Sequence, residues 1–146
     1  MRGHPFVARV PVRFGDIDRA GIVYYPRVLH YLHVAFEEFF ARSVGIPYHR
    51  VIDRLRVGFP TVHLEADFLG PLHHGDSLRI SLAVAAIGRT SVRFEYVIRR
   101  PGARTPAVRA SLTAVSVDMR RFRPVPVPSA LRRAFARHAP RGRSSV

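Results

Sequence analysis

Only one long stretch of this chain carries helical spacing. Between Arg27 and Val44, apolar residues recur every three or four positions at Val28, Leu29, Leu32, Ala35, Phe36, Phe39 and Phe40, and Gly45 and Pro47 follow. The spacing predicts an amphipathic helix of about five turns with a Gly stop and a Pro terminator. Its apolar face is wide, so most of its length must be covered. Almost everything else alternates with a period of two, the pattern of half-buried strands. Val10, Val12 and Phe14 oppose Arg9, Pro11 and Arg13, with Pro11 placing that strand near a sheet edge. Val62, Leu64, Ala66 and Phe68 form a second set, Leu78, Ile80, Leu82 and Val84 a third, and Val92, Phe94, Tyr96 and Ile98 a fourth. A last strand runs from about Ala107 to Met119, and glycine- and proline-containing turns separate the strands. One helix followed by a run of strands belongs to the α+β class. An antiparallel sheet of about five strands buries its apolar face by wrapping that helix.

With 146 residues, 47% of them apolar and 23% charged, the chain has room for one core and the composition to build it. Residues 1–122 are read as the folded domain. Residues 123–146 are read as a Pro- and Arg-rich extension in which Pro124, Pro126 and Pro128 stiffen the chain and Ser129 caps a short helix from Ala130 to Arg137. The absence of cysteine excludes a disulfide framework, a thiolate zinc site and a cysteine nucleophile. No apolar run approaches the roughly 18 residues of a membrane span and no signal segment is seen, so the expectation is a soluble cytoplasmic protein.

The net charge of +14 invites a nucleic-acid reading, but every basic residue is Arg and the chain has no Lys, Asn, Gln or Trp. That vocabulary reflects codon bias as much as function. The last 28 residues hold 8 Arg and no acid, so much of the excess sits on a terminal tail. A single-strand binder would also interleave exposed aromatics with Arg on one sheet face. Here Phe94 and Tyr96 alternate with Arg93 and Glu95 and point the other way.

Before the helix lies Phe14-Gly15-Asp16-Ile17-Asp18-Arg19-Ala20-Gly21-Ile22-Val23-Tyr24-Tyr25-Pro26, a segment that breaks both periodicities. This loop, leading into a long helix, resembles the signature of the hotdog-fold acyl-CoA thioesterases, in particular the 4-hydroxybenzoyl-CoA thioesterase branch with the Tol-Pal cluster thioesterases. The resemblance extends in element order over residues 6 to 118. It implies hydrolysis of a coenzyme A thioester, of which an aryl thioester such as 4-hydroxybenzoyl-CoA is one candidate, without metal or cofactor.

Asp18 matches the family's catalytic aspartate, which attacks the thioester carbonyl or activates water. Tyr25 matches the position whose backbone N–H polarises the thioester oxygen. The first amides of a helix lack internal partners, and Pro26 has no N–H, so the donor falls to Tyr25. Gly21, Val23 and Tyr24 complete the substrate-side loop. Arg89, Thr90 and Ser91 fall where the family contacts the nucleotide part of coenzyme A, with Arg120, Arg121 and Arg123 as further cations.

Asp16 is assigned a turn-holding role. Glu38 is the alternative acid on the helix, although an ion pair with an Arg suits it better. His30 and His33, and the adjacent His73 and His74, form no recognisable metal-binding spacing. A sheet this small has free edges, so a homodimer or homotetramer is expected, and the resemblance implies a site between subunits. An acyl-carrier protein is the alternative carrier of the acyl group, and a nucleic-acid-binding module is the more distant alternative.

Overall fold

The computed structural model of the protein describes residues 4–139. In chain order it contains β1 (Phe6–Pro11), a 3-10 turn (Phe14–Asp16), and α1 (Tyr25–Phe39) prolonged by a π-helical turn (Phe40–Val44). Next come α2 (Tyr48–Arg50) with its own wide turn (Val51–Leu55), β2 (Val57–Gly58), β3 (Thr61–Phe68), β4 (Ser77–Ile87), β5 (Ser91–Arg99) and β6 (Val108–Val115). The order closes with β7 (Val117–Asp118), β8 (Arg123–Pro124) and α3 (Ser129–Ala136). The arginine-rich residues 140–146 lie outside the described residues.

Strands β1, β3, β4, β5 and β6 form one antiparallel sheet in the order β1-β4-β5-β6-β3. The α+β expectation of a five-stranded antiparallel sheet and one long helix is met, while β2, β7 and β8 add a small three-stranded sheet, so the expected last strand from Ala107 to Met119 is split at Ser116 between the two sheets. Leu78, Ile80, Leu82 and Val84 on β4 are fully buried, as are Val92, Phe94 and Ile98 on β5, and α1 covers them with Leu32, Ala35, Phe36 and Phe39. Each such side chain contributes about 1.5–3 kcal/mol by leaving water. Pro26 sits in the first turn of α1, where its fixed φ and missing N–H are tolerated. At the other end, the Gly45 amide donates to the Phe40 carbonyl at 2.9 Å, and Gly45 adopts φ +88°, the left-handed stop that glycine permits.

The C-terminal segment joins this core. Phe135 on α3 is buried within 5.9 Å (ring centroids) of Phe39 and Phe94 and 5.7 Å of Phe40, and Val127 and Leu131 are buried beside it.

Four local expectations are corrected. Phe14 is 80% exposed rather than inward with Val10 and Val12, because β1 ends at Pro11 and the chain curls into the 3-10 turn. The helix begins at Tyr25, two residues before Arg27. Val62 and Phe68 are 61% and 50% exposed, because β3 is an edge strand at the limit of the area α1 covers. Ser129 is the first residue of α3 instead of its cap; Pro128 occupies the cap position.

Candidate active site

The loop between β1 and α1 is tied down at both ends. Val12 N–H donates to the Asp76 carbonyl at 2.8 Å, and Val23 N–H donates to the Leu72 carbonyl at 2.9 Å, tying both ends to the segment before β4. Inside the loop, Ile17 and Val23 form an antiparallel bridge, and Asp18 N–H donates to the Ile22 carbonyl at 3.0 Å. The loop is therefore a small hairpin with Asp18 on one arm and Val23, Tyr24 and Tyr25 on the other. Gly21 closes its tip with φ +82°, and its N–H donates to the Asp18 carbonyl at 3.0 Å. A Cβ at Gly21 would meet nothing within 4 Å, so glycine is needed there for conformation and not for space.

Asp16 is the structural acid of the pair. Its Oδ2 accepts the Tyr31 hydroxyl at 2.7 Å and the Arg13 N–H at 3.0 Å, and Arg27 lies 3.9 Å from Oδ1. Partial burial opposes its charge, but the Tyr31 and Arg13 hydrogen bonds and the Arg27 guanidinium outweigh that, and its carboxyl titrates below the ordinary range. Asp18 has no such cage. One oxygen accepts the Ala20 N–H at 2.8 Å, and the carboxylate is half-buried at the loop surface.

Within the first turn of α1, Arg27 N–H donates to the Tyr24 carbonyl at 2.8 Å and Pro26 has no N–H. The Tyr25 N–H has no partner among the described residues. It lies at the positive end of a fifteen-residue helix, where an amide stabilises an incoming oxyanion. Beside it opens an apolar cavity of about 360 Å³ lined by Val23, Tyr25, Val28, Phe68, Leu72 and Val108, among others. Tyr25 and Phe68 rings stand 6.4 Å apart at its mouth, and Tyr24 and Tyr25 rings 5.4 Å apart.

Five of the expected site residues thus come together: Asp18, Gly21, Val23, Tyr24 and Tyr25. Arg89, Thr90 and Ser91 do not join them within one chain. Arg89 and Thr90 lie in the turn after β4 and Ser91 opens β5, whereas the first residue of β4, Ser77, pairs with Pro11 just before the loop. The eleven residues of β4 span about 35 Å. The far turn is anchored by the C-terminal segment: Val127 N–H donates to the Arg89 carbonyl at 2.9 Å, and Ser116 N–H donates to the Thr90 carbonyl at 2.6 Å. Arg120, Arg121 and Arg123 lie around the β7–β8 turn that follows Ser116, at the same end as Arg89.

Glu38 pairs with Arg42 at 3.1 Å on the outer face of α1. Among the described residues, no group of three or more His, Asp or Glu is arranged to hold a metal ion. Among the described residues, no helix is long and apolar enough to cross a membrane. Phe94 and Tyr96 are buried under α1, on the face opposite Arg93, so they form no stacking platform.

Sequence reasoning missed Tyr31 and Asp76, the residues that hold the loop. Asp76 carries its carboxylate between Arg100 Nε (2.7 Å) and the His73 N–H (2.9 Å), so that its backbone carbonyl can anchor Val12. The His73-His74-Gly75-Asp76 turn was visible in the sequence, but its partner Arg100 is 24 residues away.

Residues 12–135 match the family described as the thioesterase-like superfamily. Over 86 residues the chain is 41% identical to a 1,4-dihydroxy-2-naphthoyl-CoA hydrolase of Synechococcus elongatus; the match covers 58% of this chain and 62% of that relative, somewhat less than two thirds of its length. The fold superimposes on a 1,4-dihydroxy-2-naphthoyl-CoA thioesterase from Synechocystis with TM-score 0.82 at 25% identity, over 90% of this chain and 95% of that one. It superimposes on a gentisyl-coenzyme A thioesterase with TM-score 0.79 at 29% identity, over 89% and 99%. The sheet wrapped around α1 is the hotdog fold, and the chain belongs to the thioesterase-like superfamily.

Proposed function

We propose that this protein hydrolyses the thioester of an acyl-coenzyme A carrying an aryl acyl group, releasing the free acid and coenzyme A. The observation that carries this reading is the unpartnered Tyr25 amide at the start of α1, opening on an apolar cavity on the same hairpin as Asp18. The Tyr25 N–H donates a hydrogen bond to the thioester oxygen and stabilises the negative charge that develops there as it becomes an oxyanion. Asp18 either takes a proton from the attacking water or adds to the carbonyl itself. In both routes the carbon–sulfur bond breaks, the thiolate leaves, and water supplies the oxygen that completes hydrolysis. The names of the relatives, hydrolases of dihydroxynaphthoyl and gentisyl thioesters, support an aryl acyl group.

The working unit in this reading is a homodimer, alone or paired into a tetramer. β3 is a free edge whose Thr61 end lies at the Arg89 end of the sheet and whose Phe68 end lies at the Asp18 end. Antiparallel pairing of β3 with its copy sets the partner's Arg89 end beside this chain's Asp18 end. The cations for the coenzyme A phosphates then come from Arg89, with Thr90 and Ser91, and from Arg120, Arg121 and Arg123 of the second copy. Gly21, Val23 and Tyr24 shape the substrate side of the loop.

The test is thiol release from benzoyl-, hydroxybenzoyl-, short-chain and long-chain acyl-CoAs, with the same acyl groups on a carrier protein, by wild type and Asp18→Asn. Turnover of aryl-CoA that falls about 100-fold or more in a mutant with unchanged thermal unfolding supports the reading. Equal turnover by the mutant removes Asp18 from the chemistry. Preference for the carrier-bound substrates replaces coenzyme A with a carrier protein.

A further inference from the structure

The turn that presents Arg89 does not hold itself. Gly88 to Ser91 join β4 to β5, and neither central residue, Arg89 or Thr90, has a positive φ. Tight hairpin turns of two residues carry a positive φ at the first of them, which matches the twist of the strands; a turn without it splays them. The Gly88 N–H donates to the Ser91 carbonyl at 2.8 Å, but among the described residues no bond returns from the Ser91 N–H to the Gly88 carbonyl.

The missing closure comes from α3. Arg132, 44 residues along the chain from Gly88, donates from Nη2 to the Gly88 carbonyl at 2.8 Å and to the Arg89 carbonyl at 3.3 Å. The Arg89 carbonyl also accepts the Val127 N–H at 2.9 Å. Leu131 and Phe135, on either side of Arg132, are buried in the core, so the helix that carries this guanidinium is a fixed support. All of these bonds fall on the backbone of the turn. The Arg89 side chain is exposed and forms no ion pair among the described residues. A cation on a pinned backbone loses less freedom on gripping a phosphate than one on a loose turn.

We infer that Arg132 is a positioning residue for coenzyme A binding: by tying the Gly88 and Arg89 carbonyls to α3, it holds the Arg89 guanidinium where the phosphates dock. The inference rests on the assignment of Arg89 to those phosphates and goes further by giving the C-terminal helix a role in the site. The brace touches only the turn that meets the nucleotide. The acid and the amide that meet the thioester lie on a different element.

The experiment uses the aryl-CoA that wild type hydrolyses fastest and the N-acetylcysteamine thioester of the same acyl group, which has no phosphates. Wild type is compared with Arg89→Ala, Arg132→Met, Arg132→Lys and the Arg89→Ala/Arg132→Met double variant. Arg132→Met keeps the aliphatic stem and the helix propensity and removes the donors. Arg89→Ala raises KM for the aryl-CoA about tenfold with kcat kept, the effect of one lost charge-assisted contact. Arg132→Met raises that KM by about three- to tenfold and leaves kcat/KM for the phosphate-free thioester unchanged, a split that a merely structural role would not produce. In the double variant it adds nothing to Arg89→Ala, because its effect runs through Arg89. Arg132→Lys, which keeps a donor and the charge, restores part of the loss. An unchanged KM in Arg132→Met, an additive double variant, an equal fall on the phosphate-free thioester, or loss of the folded state in thermal unfolding overturns the inference alone. An unchanged KM in Arg89→Ala overturns the assignment of Arg89 and the inference with it. Failure of wild type to hydrolyse any acyl-CoA overturns the thioesterase reading itself.

Discussion

The Tyr31 hydroxyl donates a 2.7 Å hydrogen bond to Asp16 Oδ2, joining the second turn of α1 to the loop that precedes it. That bond commits one of the two loop acids to the fold, whereas Asp18, the acid of the proposed chemistry, accepts only the Ala20 N–H among the described residues. Tyr31→Phe keeps the buried ring and removes only the bond. The expected loss of stability is about 1–2 kcal/mol in denaturant unfolding, since a charged acceptor loses a buried donor. Turnover should fall as well, because the hairpin carrying Asp18 loses an anchor. Wild-type stability in Tyr31→Phe would show that Arg13 and Arg27 hold Asp16 by themselves.

Acid should unfold the protein through two loop carboxylates. Partial burial works against the charge on both Asp16 and Asp76, yet Tyr31, Arg13 and Arg27 in one case, and Arg100 and the His73 amide in the other, hold both below the ordinary carboxylate range. A carboxyl whose pKa is lower folded than unfolded adds stability that is complete above its unfolded value, about 4, and disappears as pH falls through the folded value. The thermal midpoint should therefore be flat with respect to these groups from pH 7 to about 5 and decline below about pH 4. Asp76→Asn should lower the neutral-pH midpoint and flatten the acid limb. An unchanged acid limb in Asp76→Asn would assign the decline to other groups.

Edge pairing of β3 is open to a direct test. Val62, Phe68 and Leu69 are 50 to 61% exposed along this edge, and the exposed Tyr25 ring stands 6.4 Å from that of Phe68. Phe68→Asp places a charge on that surface. Sedimentation should give at least twice the chain mass for wild type and a shift toward monomer for the mutant, with aryl-CoA turnover lost in parallel. A monomeric, fully active wild type would dismiss the composite site.

On the outer face of the sheet, Arg9, Arg79 and Arg99 stand directly opposite one another across β1, β4 and β5. None of the three forms an ion pair among the described residues. Like charges in register repel. Arg79→Thr should raise the thermal midpoint at low ionic strength, with a gain that shrinks as salt rises from about 0.01 M, where the Debye length is about 30 Å, to physiological levels, where it is about 8 Å. A gain independent of salt would attribute the effect to the β-branched side chain instead of to charge.

Much of this molecule follows from local pattern. The three- and four-residue spacing around Phe36 and Phe39 and the alternation of β4 and β5 are properties of neighbouring residues, and each produced the element it predicts. The loop from Phe14 to Pro26 is likewise contiguous in sequence, so Asp18, Gly21 and Tyr25 could be named from it and are found on one hairpin. Strand pairing decided the rest, because it joins residues far apart in the chain. Pairing of β3 with β6 left Val62 and Phe68 at an edge although their alternation reads as core, and pairing of β1 with β4 put Arg89 at the far end of the sheet from Asp18. The sequence by itself determined which elements form and which loop carries the acid, since those depend on interactions within a few residues. Which edge stays open and which end holds the cations were decided by the tertiary structure, since each depends on packing between distant segments.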